Sequence, residues 1–384
     1  MKIVCFSEIQ WRYVRTRKQQ IIRRFPKDWE ILFLSSVVAG KENNFRPMRE
    51  GNITHVCVPA IKNFPQKSLR ALFSFPPVRF LWNVVLFLWV KAVMSFTGFS
   101  GRERVFFVSN IYYAAILPFL GRRFILYDCN DDPLEFPNAP KWAPGYFTGL
   151  VGISDAISTV SRGLESLLHE MGARDVEYIG NGVDFDLFME AIKTGIPEEM
   201  KGLRRPVLGY SGAIAEWFDL ELLDMIAGAY TDASIVLFGP LFAPLKGDLE
   251  EMIDRRGNIF YLGSKPYEKL GAYIASLDVC MIPLRMNRLM RMADPNKLYE
   301  YAASGRPIVT YRFAPEMDDL RDLVYLADDR EEFVDKVGIA LREGADRDRL
   351  VEFARSCSWD ERARAMVDLI NRKSEETLKE EVGR

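Results

Sequence analysis

The stretch Asp294-Pro295-Asn296-Lys297-Leu298-Tyr299-Glu300-Tyr301-Ala302-Ala303-Ser304-Gly305-Arg306-Pro307-Ile308-Val309 decides the reading of this chain. Pro295 suits the first position of a helix, where its missing N–H would have no intrahelical partner. Asp294 is placed to cap the free amides of the first turn. Gly305 offers a left-handed stop and Pro307 bars continuation, so the spacing predicts a short helix and then a strand. The start of such a helix gathers unpaired N–H groups and the positive end of the dipole, which suits a phosphate. Lys297 adds a full charge in the first turn. Glu300 lies one turn below Asn296 on the same face, where a carboxylate can accept from sugar hydroxyls. Helix end, cation and carboxylate together read as a cradle for a nucleotide diphosphate. The same residues also make an ordinary capped helix ahead of a buried strand.

Outward from this helix, strand and helix signals alternate, which predicts an α/β protein with parallel sheets. Strands are expected near 207–210, 234–238, 259–262, 279–283, 308–311 and 324–326. On the N-terminal side they are expected near 2–7, 30–34, 105–108, 124–128 and 153–160. Gly195, Pro197, Gly202 and Pro206 among charged residues mark 191–206 as the linker. The first strand runs into Glu8-Ile9-Gln10-Trp11-Arg12 with no Gly-x-Gly-x-x-Gly, which weighs against a dinucleotide-binding dehydrogenase.

Charge divides unevenly along the chain. The 384 residues carry a net −2, yet residues 1–125 hold 20 Lys and Arg against 6 Asp and Glu, a net of +14. A basic first domain suits an anionic partner: a membrane surface, a lipid diphosphate or nucleic acid. A solvated basic face with no ligand is equally simple. The five cysteines are scattered and the two histidines lack metal-ligand spacing. These read as reduced thiols in a cytoplasmic protein, with no zinc site and no Ser-His-Asp triad. The start of the chain reads as a strand and not as a signal peptide. The apolar run from Phe80 to Val90 is interrupted by Asn83 and falls short of the ~20 residues that span a bilayer. It reads first as a buried helix and second as one lying at a membrane interface, flanked by Arg79 and Lys91.

The quoted helix resembles the donor-site helix of nucleotide-sugar glycosyltransferases of the GT-B fold, in particular family four and its relatives in polysaccharide and teichuronic acid assembly. Their pattern reads roughly Pro-x-Lys-Leu-x-Glu-Tyr-x-Ala-x-Gly-x-Pro-Val-Val. Further matches follow in order: Asn181-Gly182-Val183-Asp184, Leu208-Gly209-Tyr210-Ser211-Gly212, Phe238-Gly239-Pro240, Leu262-Gly263 and Ser358-Trp359-Asp360. The resemblance implies two Rossmann-like domains with parallel sheets facing across a cleft. Residues 1–195 would bind the acceptor, residues 206–358 the donor, and a C-terminal helix at about 360–384 would pack back on the first domain. The expected reaction moves a sugar, hexosyltransferase fashion, from a nucleoside diphosphate sugar to a hydroxyl of a lipid-linked glycan. That work belongs to cell-surface polysaccharide synthesis on the inner face of the membrane. Nucleic acid is not an expected partner. A nucleotide-sugar epimerase of similar fold and a non-catalytic sugar-nucleotide or glycan-binding subunit are the alternatives.

Residue by residue, the resemblance puts Glu300 on the ribose and Asp294, Asn296, Lys297 and Leu298 around the diphosphate. Gly212 would let backbone approach the phosphates. Main-chain groups of Phe238, Gly239, Leu262 and Gly263 would lie near the nucleoside. A departing diphosphate needs its growing charge met. Lys297, Arg291 and the helix amides can meet it, so no cofactor and no essential metal is expected. Many relatives carry a Glu-x7-Glu pair; here Met292 stands where the first Glu would be. In the first domain the loop after strand one and the following helix would face the acceptor, with Trp11, Arg12, Arg15 and Arg17 as binding residues. Relatives often read Tyr-Asp-x-His-Asp where this chain has Tyr127-Asp128-Cys129-Asn130-Asp131-Asp132, with Asn130 in the histidine's place. Ligands bind at such strand ends. Asp131 first, and Asp132 second, are the candidate general bases, with a turn role as the plain alternative.

Overall fold

The structure, a computed structural model, describes every residue except 13–14, 39–41, 61–66, 102–103, 122–123, 137–138 and 383–384, and leaves the side chains of 67 and 377–382 undescribed. The chain divides into two compact units: residues 1–180 with 363–384, and residues 181–362.

The first unit is built on an eight-stranded sheet. Its strands are β1 (Lys2–Ser7), β2 (Glu30–Ser36), β3 (Met48–Glu50), β4 (Ile53–Val58), β5 (Val105–Val108), β6 (Phe124–Cys129), β7 (Ala156–Thr159) and β8 (Val176–Tyr178), in the order β3-β4-β2-β1-β5-β6-β7-β8. Only the β3–β4 pair is antiparallel among these neighbours. Helices α1 (Arg17–Ile22), α2 (Lys67–Ser74), α3 (Pro76–Phe96), α4 (Ala143–Ile153) and α5 (Arg162–Glu170) complete it. Strands β1, β5 and β6 are buried nearly end to end, because a parallel sheet is covered on both faces. That burial is why they read as continuous apolar runs. The strand expected at 153–160 begins only at Ala156, since Ile153 ends α4. The β3–β4 hairpin and β8 have no counterpart in the sequence reading. Strands β3 and β8 are three-residue, incompletely buried edge strands, whereas β4 is six residues long and largely buried.

The second unit has α6 (Phe185–Lys193), α7 (Glu198–Lys201), β9 (Val207–Ser211), α8 (Leu220–Ala229), β10 (Ser234–Phe238), α9 (Ala243–Arg256), β11 (Ile259–Tyr261), α10 (Leu270–Ala275), β12 (Val279–Ile282), α11 (Arg288–Arg291), α12 (Asn296–Ser304), β13 (Ile308–Tyr311), β14 (Tyr325–Ala327), α13 (Arg330–Glu343) and α14 (Arg347–Ser356). Helix α15 (Trp359–Val382) begins here and runs on into the first unit. The sheet is wholly parallel in the order β11-β10-β9-β12-β13-β14. Strand order reverses between β9 and β12, and in the first sheet between β1 and β5. Such switch points are where open α/β sheets take their ligands.

Sequence composition puts a linker at 191–206, whereas the first unit ends at Gly180. Helix α6 explains the difference. It buries Phe185, Phe188 and Ala191 and packs on α10 and α12, so its apolar face holds it in the second unit.

Candidate functional site

The quoted segment folds as helix α12, with Gly305 ending it at φ 65°. Its start differs from the sequence reading. Pro295 is the cap residue, and no side chain caps the helix. The Asp294 carboxylate turns back instead. It accepts from the Asn181 amide at 2.5 Å and from the Tyr299 hydroxyl at 2.8 Å. Asp294 therefore pins the loop at Asn181 to α12 and leaves the first-turn amides uncovered. Tyr299 is spent on that bond and on stacking against Phe353, with ring centroids 5.8 Å apart. Tyr301 fixes the other side: its buried hydroxyl accepts from the Ser211 amide at 2.7 Å, tying α12 to the end of β9.

Three polar groups on the first turns of α12 have no hydrogen-bond or ion-pair partner among the described residues. Asn296 Oδ1 is buried and unsatisfied. Lys297 Nζ makes no ion pair and lies 5.5 Å from the Tyr210 ring centroid. Glu300 is only 8% exposed, and its carboxylate accepts no hydrogen bond. Burial pushes Glu300 up to about 7, with Lys297 pulling the other way. Burial likewise lowers Lys297, against the pull of Glu300. A buried polar atom without a partner costs about 1–3 kcal/mol, so Asn296 Oδ1, with unpaired Lys297 and Glu300 on the same turns, marks a surface suited to a ligand.

Glycines form the floor beneath Lys297. Gly212 follows β9 at φ 150°, and a Cβ there would sit 2.0 Å from Lys297 Cε. Gly239 follows β10 at φ 146°, and its Cβ would sit 2.0 Å from the Gly212 carbonyl oxygen. Only glycine permits both the conformation and the approach. The Gly212 amide donates to the Phe238 carbonyl, the Gly239 amide to the Gly263 carbonyl, and the Tyr261 hydroxyl to the Gly239 carbonyl. The main-chain groups expected to meet a nucleoside here therefore hold the three loop ends together. Phe238 packs inward, its ring centroid 5.8 Å from that of Tyr273, and the Leu262 amide bonds the Leu237 carbonyl. Leu298 is core; its amide bonds the Pro295 carbonyl. Arg291 is exposed on α11 and makes no ion pair among the described residues.

In the first unit, the strand ends at the switch point carry a charged cluster. Arg17 and Asp128 form a fully buried pair, Nε lying 3.1 Å from both carboxylate oxygens. Arg17 also donates to the Gly180 carbonyl at 2.8 Å, and Ser158 donates to Asp128 at 2.9 Å. Arg17 is thus committed to the fold and not free for an acceptor. Trp11 is likewise taken: it is 3% exposed, packs on Phe33, lies under the Arg23 guanidinium and donates to Glu50 at 3.1 Å. Arg12 is exposed and paired with Glu50, and Arg15 is exposed. Asp132 is buried and accepts from the Leu134 amide at 2.9 Å, a turn contact. Asp131 accepts from the Asn130 side chain at 2.8 Å, and burial lifts it to about 7. The ion pair of buried Lys18 with half-buried Glu8, and the Asp128 carboxylate, complete its surroundings. Sequence reading missed Glu8 and Lys18, whose meeting depends on β1 and α1 folding side by side. Among the described residues, no cluster of His, Cys, Asp and Glu has the makings of a metal site.

Two parallel-sheet Rossmann-like units, the second with an open helix start above a glycine floor, define the GT-B fold. Residues 205–343 match the family described as glycosyl transferases group 1. Over 138 residues the chain is 24% identical to the putative teichuronic acid biosynthesis glycosyltransferase TuaH of Bacillus subtilis (strain 168), covering 36% of this chain. The chain spans 34% of the length of that curated relative. Among solved structures, an alpha,alpha-trehalose 6-phosphate synthase from Burkholderia multivorans aligns with TM-score 0.74 at 14% identity over 99% of both chains. HepE from Anabaena in complex with UDP aligns with TM-score 0.61 at 15% identity, over 99% of this chain and 100% of that one. The fold read from the motifs thus stands, and the donor-side motifs fall inside the matched stretch 205–343.

Proposed function

We propose that this protein is a glycosyltransferase whose second unit binds a nucleoside diphosphate sugar at α12. It transfers the sugar to a hydroxyl of a glycan acceptor, lipid-linked, in cell-surface polysaccharide synthesis. One observation carries the reading: Lys297 Nζ stands unpaired against Gly212, with Asn296 Oδ1 and the Glu300 carboxylate also without hydrogen-bond partners among the described residues on the same turns of α12. UDP in the HepE complex and UDP-2-fluoro glucose in an E. coli relative of the same fold agree with it.

In the proposed reaction the bond from the anomeric carbon to the diphosphate oxygen breaks, and a bond from the acceptor oxygen to that carbon forms. The proton leaves the acceptor hydroxyl for a base, for which Asp131 is the candidate: its value near 7 lets it both hold and release a proton at neutral pH. Lys297, the first-turn amides and Arg291 meet the charge that grows on the leaving diphosphate. Glu300 accepts from ribose hydroxyls. No metal ion has a part in this scheme.

The test is calorimetric titration of the full chain with UDP, GDP, ADP and dTDP. The nucleotide that binds is then repeated with Lys297→Ala and Glu300→Gln. Weaker binding in both variants supports the donor site; wild-type affinity in both refutes it. Nucleotide release from the matching sugar donor, seen only when a lipid extract is added, supports transfer. Release independent of the extract argues for hydrolysis or epimerisation instead.

A further inference from the structure

Helix α3 is long and apolar enough to cross a membrane by length and composition, yet only 22% of its most apolar stretch is buried. The first sequence reading, a buried helix, therefore does not hold. Its inner face is anchored. Leu86, Val90 and Met94 are buried, the Trp82 indole donates to the Pro59 carbonyl at 2.8 Å, and the Asn83 amide donates to the Tyr146 hydroxyl at 2.8 Å. Its outer face is apolar and open: Phe80, Leu81, Val85, Leu88, Trp89 and Phe96 are all exposed, Phe96 by 83%. The positions recur with helical period along one side. From Phe80 to Phe96 the stripe runs about 24 Å at 1.5 Å per residue. The end of α2 and the loop after it extend it with exposed Leu72 and Phe75. A contiguous exposed apolar stripe rimmed by basic residues marks an interaction surface, protein or membrane.

We propose that this face docks on an anionic lipid bilayer, with α3 lying along the surface. Two observations choose this occupant. First, residues 51–102 contain no Asp or Glu, but carry Lys62, Lys67, Arg70, Arg79, Lys91 and Arg102. An apolar stripe in an acid-free basic segment complements acidic headgroups. A second copy on the same face would set like charges together. Second, Trp82 and Asn83 are hydrogen-bonded to the body of the first unit on the inner face. The helix can therefore sink its outer side into the interface while staying packed, and cannot cross. The inference does not rest on the transfer reaction.

Flotation of the full chain with vesicles tests it. Vesicles of equal phosphatidylglycerol and phosphatidylcholine are compared with phosphatidylcholine alone, without nucleotide or acceptor. Wild type is expected to float with the anionic vesicles and to bind pure phosphatidylcholine about tenfold more weakly. The double variant Leu81→Glu, Leu88→Glu, at exposed positions, is expected to lose at least about tenfold on anionic vesicles with its melting temperature unchanged. Lys91→Glu provides a milder check with the same sign. Wild type that does not float overturns the proposal, as does a double variant that floats like wild type. A wild-type dimer in light scattering that the double variant splits assigns the face to a second copy and overturns it too.

Discussion

Replacing Gly212 by alanine puts a methyl 2.0 Å from Lys297 Cε, 2.7 Å from its Nζ and 2.9 Å from the Tyr210 hydroxyl. The β9 end is held by the Gly212 amide bond to Phe238, so the lysine is what gives way. Its stem swings off the Tyr210 ring and the ammonium leaves the first turn of α12. A charge-assisted hydrogen bond is worth about 1.5–3 kcal/mol, so losing the one to a diphosphate weakens binding by roughly 10- to 150-fold. A separate cost, about 1–3 kcal/mol for a non-glycine residue at φ 150°, falls on stability and not on affinity. Calorimetry with the nucleoside diphosphate that wild type binds reads the first. Thermal unfolding without ligand reads the second. The decisive comparison is a cycle with Lys297→Ala. If Gly212→Ala acts by displacing Lys297, the double variant binds no worse than Lys297→Ala alone. Additive losses, or a Gly212→Ala protein that binds like wild type, refute the idea that this glycine exists to seat that lysine.

Glu300 sets a pH dependence. Its ordinary value of 4.5 is raised to about 7 by burial. A carboxyl raised in the fold stabilises fully below 4.5, and that contribution is lost as pH rises through about 7. Glu300→Gln should therefore match wild type at low pH and exceed it above pH 7, by on the order of 3 kcal/mol in denaturant unfolding. Equal stabilities at both ends would show that the ionised carboxylate is solvated after all. Asp131→Asn is expected to lower kcat about 10²- to 10⁴-fold, and wild-type kcat/KM to rise through pH 7 as the base ionises. A flat profile with undiminished kcat removes Asp131 from the mechanism. Arg17→Leu strands Asp128, which is fully buried and keeps the Ser158 hydroxyl as its side-chain donor among the described residues. A loss of about 3–5 kcal/mol is expected. At roughly 2–4 °C per kcal/mol, calorimetry should show melting of the first unit about 6–20 °C lower. A shift under about 2 °C would mean the pair is dispensable.

The sequence by itself determined the α/β alternation, the parallel second sheet, five strands of the first, and helix α12 with its glycine stop. These rest on local signals: apolar runs of strand length, Gly and Pro punctuation, and a lysine and a glutamate one helical turn apart. Tertiary structure alone decided which polar groups are left over. Asp294 reads as a cap but is captured by Asn181, more than a hundred residues away in sequence. Arg17 reads as an acceptor-binding arginine, yet α1 folds against the end of β6 and delivers it to Asp128. Trp11 reads as an acceptor platform and ends under Arg23 in the core. Helix α3 reads as buried because its composition is apolar all round, and composition does not say which side meets the sheet. A local pattern fixes what a segment is; partners far along the chain fix which of its side chains remain free to act.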